Sequence, residues 1–177
     1  MLQIVEIGSY NVSMLSLHQA VLPPKIVFLF TLEELKFEQK YLQLQEFYIK
    51  NGRPSILANA CWGDNGLWKA IWNESVTPYS HFTSKDKDWA QKFHVWRMDW
   101  DEKYMSIYVD GELLNKIDLS TTYNKGYGDN FENPFTSSAI KHYIILNLAI
   151  GSNGGTPDLS HFPLKYNVDY VRVYHKN

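Results

Sequence analysis

The chain has 177 residues and a formal net charge of −2, enough length for one domain with a real core and too little charge to suggest a nucleic-acid or anionic-membrane partner. Hydrophobic residues are 45% and charged residues 20%, an ordinary globular mix. The single cysteine, Cys61, excludes an intrachain disulfide, and its place in an apolar run suggests a small buried hydrophobe.

Residues 1–20 do not read as a signal peptide, because they lack a positive start and a long apolar run before a small-residue cleavage site. The apolar run 21–30 is broken by Pro23, Pro24 and Lys25 and is too short to span a bilayer. Residues 31–46 (TLEELKFEQKYLQLQE) carry Leu and Tyr interspersed among Glu, Lys and Gln, all good helix formers, and a helix is expected there. Residues 1–40 hold no Asp or Trp and, of all the glycines, only Gly8. They are expected to form an atypical segment apart from a domain over 41–177.

From residue 47 the reading is strand and loop. Residues 55–62 are a strand, 67–92 an irregular stretch with a possible strand at 67–72, and 93–100 (FHVWRMDW) a strand. In that strand His94, Trp96, Met98 and Trp100 share one side. His94 is therefore expected to be a satisfied core histidine rather than a ligand. Asp110-Gly111 marks a tight turn inside YMSIYVDGELL. Residues 119–138 are a polar loop, 141–150 a central strand, 151–164 a second loop and 166–174 a closing strand. All six tryptophans fall between Trp62 and Trp100. Such clustering suits either a core or a carbohydrate cleft, where indole faces cover the CH faces of sugars.

Four phrases, FHVWRMDW, YVDGELL, YIILNLAIGSNGG and VDYVRVY, stand in the order and spacing of the C-terminal half of glycoside hydrolase family 16. The chain resembles that family. The resemblance implies an all-β, concanavalin A-like jelly-roll sandwich, here incomplete and headed by the atypical segment. It implies action on the O-glycosyl bonds of β-glucans (β-1,3 or β-1,3-1,4), with a β-glucan polysaccharide or oligosaccharide as partner. The family is usually secreted or periplasmic.

The family's catalytic signature is Glu-x-Asp-x-x-Glu on one strand, with a bulge that brings the three carboxylates to one face. The first Glu is the nucleophile, the last the acid/base, and retention needs the two carboxyls about 5–5.5 Å apart. The tail EFYIKNGRPSILANACWG, residues 46–63, looks like the family's continuation and puts Glu46 at the acid/base position. Tyr41 then stands at the nucleophile position and Gln43 at that of the helper Asp. Glu46 is the only acidic residue between Glu38 and Asp64, so no neighbour fills the gap without a register shift. A lone Glu in a Gln-rich stretch is equally readable as a solvated side chain.

The resemblance adds Trp62 as a sugar-stacking residue lining the cleft. Asn59 and Trp62 lie on opposite faces of a regular strand, and Trp62 is the one preferred for the cleft. Asn147 interrupts an apolar strand and is either hydrogen-bonded in the core or exposed in the cleft, the second being preferred. Asn153, in the following loop, is a candidate for binding sugar hydroxyls. No zinc-type His/Cys cluster is present, and no cofactor or metal is expected. Asp169 matches a residue that holds structural Ca²⁺ in some family members, but the strand that completes their site is expected to be missing. Three readings follow: a family 16 hydrolase impaired by loss of its nucleophile motif, a non-catalytic glucan-binding remnant, and a fragment without activity.

Overall fold

A computed structural model describes residues 3–8, 25–32, 41–50, 53–63, 70–125, 131–138, 142–149 and 167–175. Twelve strands are β1 (Gln3–Gly8), β2 (Lys25–Leu32), β3 (Tyr41–Lys50), β4 (Arg53–Gly63), β5 (Ala70–Pro78), β6 (Val95–Trp100), β7 (Tyr104–Val109), β8 (Glu112–Asp118), β9 (Asn124–Lys125), β10 (Phe131–Glu132), β11 (His142–Ala149) and β12 (Tyr170–His175). One five-stranded sheet runs β12-β1-β6-β7-β8 and a second β11-β2-β3-β4-β5, with β9 and β10 forming a small pair. Neighbouring strands are antiparallel throughout. The two large sheets enclose one core, giving the expected all-β sandwich.

The meander β6-β7-β8 follows from its sequence. Trp96, Met98 and Trp100 on β6 and Met105, Ile107 and Val109 on β7 are buried at every second position. Asp110 and Gly111 both take positive φ, 48° and 82°, the backbone of a two-residue hairpin turn whose twist matches the flanking strands. The Asp110 carboxylate accepts the Val95 N–H at 2.9 Å and lies 2.6 Å from His94 Nδ1. His94 Nε2 in turn lies 2.6 Å from the Trp89 carbonyl oxygen, and its ring stacks on the Trp89 indole. His94 is the satisfied core histidine that its position suggests.

The second sheet closes this core with Ile56, Ala58, Ala60 and Trp62 of β4. Asn115 Nδ2 joins the layers at the edge, donating to the Ala58 carbonyl at 2.7 Å and to Asn73 Oδ1 at 2.9 Å. Ser75 on β5 donates to the Leu114 carbonyl on β8. The stretch 119–138, read as a polar loop, is partly pinned. Buried Asn133 donates to the Leu119 carbonyl and accepts from Thr122 and the Phe135 N–H. Phe135 thereby enters the core edge-on to Trp62 and Trp100.

Three expectations are corrected. The helix over 31–46 is not formed at either end: residues 31–32 close β2 and 41–46 open β3, while 33–40 lie outside the described residues. Pairing on both edges of β3 outweighs local helix propensity. The stretch 67–92 holds a nine-residue strand, β5, and the short helix α1 (Tyr79–Thr83). The N-terminal residues do not stand wholly apart from the sandwich, since β1 pairs with both β12 and β6 and β2 with both β3 and β11.

Candidate functional site

The second sheet has two faces, and β4 tells them apart. Ile56, Ala58, Ala60 and Trp62 join the core, so Leu57, Asn59 and Cys61 lie on the opposite, outer face. On β11, Ile144 and Leu146 pack against the core, which places positions 143, 145 and 147 on the outer face. Register then links the five strands. Asn147 pairs with Val27, Val27 with Glu46, Glu46 with Leu57, and Leu57 with Val76. One continuous outer-face row therefore crosses the sheet, with Glu46 on its central strand.

The residues before Glu46 reach the same face through an irregularity. Val27 pairs with Glu46 but Leu29 with Gln43, so two steps on β2 oppose three on β3. The extra residue is a β-bulge, which shifts the alternation by one. Positions 41, 43 and 46 consequently share one side of the strand. Tyr41 pairs with Thr31, and Thr31 with Tyr143, one row beyond Gln43. At these three positions the sequence supplies one carboxylate, one amide and one phenol. A single carboxylate can donate or accept a proton but cannot also serve as nucleophile.

Trp62 is placed differently from the expectation. Its side chain is 7% exposed in the inter-sheet core and meets the Phe135 ring edge-on. Asn59, from the same strand, has the outer face, where its Oδ1 accepts the Ser75 N–H at 3.1 Å. The period-two rule gave the opposition of these residues correctly, but β4 is buried on both faces, so composition could not say which was which. Cys61 is buried as expected, and burial pushes its thiol up to about 11, which makes it a poor nucleophile.

Asn147 lies by register in the Glu46 row. Asn153 lies outside the described residues. Asp169 is exposed just before β12. The strand expected to be missing beside it is present as β1, yet among the described residues no three His, Cys, Asp or Glu gather to hold a cation.

Two outer-face residues had no role in the sequence reading. On β5, Trp72 pairs with Cys61 and Glu74 with Asn59, so both lie on the Glu46 side of the sheet. Both are exposed. Residues 70–78 (AIWNESVTP) mix polar and apolar side chains on both faces, so periodicity gives no signal for either residue.

The family model for glycosyl hydrolases family 16 matches residues 61–157, more than half of the chain. A glucan endo-1,3-beta-glucosidase A1 from Niallia circulans is 35% identical over 112 residues, 62% of this chain and 16% of that protein. A beta-1,3-glucan-binding protein from Penaeus monodon is 34% identical over 113 residues, 58% of this chain and 31% of that protein. A solved structure from work on endo-acting O-glycanases, with which human gut bacteria initiate mucin breakdown, superposes with a TM-score of 0.69 at 20% identity. That alignment covers 98% of this chain and 57% of the other, and it speaks for the fold. The chain belongs to glycosyl hydrolase family 16. The matched segment spans less than a third of either sequence relative.

Proposed function

We propose that this chain presents a family 16 cleft for β-1,3 or mixed β-1,3-1,4 glucan, and that its hydrolytic power is impaired at the nucleophile. One observation carries the reading: the bulge in β3 gives positions 41, 43 and 46 a common face, and only the last of them is acidic. In this reading Glu46 keeps the acid/base place and Asn147 lies beside it for substrate. Tyr41 and Gln43 occupy the places of the attacking and helper carboxylates. Covalent catalysis splits one hard step into two easier ones, so its loss costs several orders of magnitude in rate. Asn153 would add a contact to sugar hydroxyls from the loop after β11. A binding role without turnover is the second reading, and the Penaeus monodon relative is named for glucan binding.

The test is reducing-end release from laminarin, lichenan and mixed-linkage glucan by the purified chain, with binding to the same polymers measured by affinity electrophoresis. Retarded migration with release at background is expected. Vigorous hydrolysis that Glu46→Gln abolishes would show that another carboxylate performs the attack and would overturn the impairment. No retardation by any of the three glucans would remove the cleft reading itself.

A further inference from the structure

Trp72 stands apart from the other tryptophans of the described residues. Trp62, Trp89, Trp96 and Trp100 are all buried in the core, and each packs against another aromatic ring. Trp72 lies outside that cluster and is 46% exposed. A single exposed aromatic needs no explanation on its own. Its register supplies one. Val76 ends the row that contains Glu46, and Trp72 lies two same-face steps further along β5. Strand spacing and rise put it about 17 Å from Glu46 on the same sheet face. Exposed Glu74 lies on that face between Val76 and Trp72.

We infer that Trp72 is a remote sugar-stacking platform of this cleft, taking a pyranose ring of a β-glucan several units away from the linkage nearest Glu46. The inference rests on the β-glucan reading above and deepens it. β-Linked glucose carries its hydroxyls around the ring edge, which leaves both faces as apolar C–H surfaces. A half-exposed indole offers a flat apolar area of matching shape and keeps its N–H for a hydroxyl. A separation of about 17 Å exceeds the reach of one sugar, so Trp72 assists only chains long enough to bridge it and Glu46.

The experiment is calorimetric titration of the native chain, Trp72→Ala and Trp72→Phe with laminarihexaose, alongside their thermal melts. Trp72→Ala is expected to melt near the native temperature and to lose about tenfold or more in affinity, as large aromatic anchors do. Trp72→Phe is expected to fall between. An independent measurement uses iodide: the quenchable fluorescence that Trp72→Phe removes should be shielded by the hexaose in the native chain. Native binding with a Trp72→Ala affinity within twofold, or an unshielded Trp72 signal, overturns the platform while leaving the glucan reading intact. No binding by the native chain overturns both.

Discussion

The centre of the first sheet and its β12 edge share an alternation but not a fate. On β6, Trp96 and Met98 point into the core and are buried. Register carries the same face across β1 to β12, where Trp96 leads through Ile7 to Val171, and Met98 through Val5 to Val173. Yet Val171 is 40% exposed and Val173 47%. The central β6 is roofed by β4 and the Phe135 segment, while the inner face of β12 is left partly exposed to solvent. Alternation decides which way a side chain faces; overlap of two layers decides whether it is buried. Stability should therefore reside around β6, β7 and β4.

The strongest way to break that comparison is to cut matched side chains in both regions. Ile107, at 1% exposure on β7, has no route to refill the space if shortened. Ile107→Ala is expected to cost about 2–5 kcal/mol, transfer and cavity terms together. Val173→Ala is expected to cost under about 1 kcal/mol, since its methyls already meet water. Urea denaturation of both variants measures the difference. Equal losses would mean that β12 is as well covered as β7.

The same contrast explains what could be read from the sequence. The β6-β7 hairpin was legible because its signals are local: one polar and one apolar face, and an Asp-Gly turn whose backbone needs positive φ. Trp62 was misplaced because its strand buries both faces, and such a strand has no polar side to orient the reader. β3 was hidden under Gln, Glu and Leu, residues that favour helix until two neighbouring strands claim the backbone. The extra residue in β3 leaves no mark in composition at all. It was anticipated only through the family resemblance, which also put Glu46, Tyr41 and Gln43 in one motif. Asn133 escaped notice because its three partners lie in turns that sequence periodicity does not encode.

A smaller effect sharpens the comparison in the roofed region through pH. Burial would raise the Asp110 carboxyl, but its bonds to His94 and to the Val95 N–H prevail and hold it below its ordinary value of 3.8. A carboxylate depressed by folding stabilises the native state above its unfolded pKa, and that contribution is lost as pH falls through the folded one. Native stability should therefore drop on acidification below about pH 4. Asp110→Asn removes this contribution, so it should be less stable at neutral pH and lose less on acidification. Thermal melts across that range test the pair, and an unchanged acid dependence in Asp110→Asn would assign the loss to other carboxylates.

The smallest effect on stability belongs to the β12 edge, where the consequence is association instead. Val171 and Val173 present apolar surface on the inner face of an edge strand, the arrangement that templates contact with another sheet. Replacing both with Thr keeps the β-branched shape that suits a strand and adds a hydroxyl that water can satisfy. The double variant Val171→Thr/Val173→Thr should match native stability within about 0.5 kcal/mol per site. It should also stay monomeric at concentrations where the native chain self-associates. Sedimentation equilibrium over a concentration series reads this directly. A native chain that remains monomeric throughout would show that these valines tolerate water without seeking a partner. An association that the double variant leaves unchanged would place the sticky surface elsewhere.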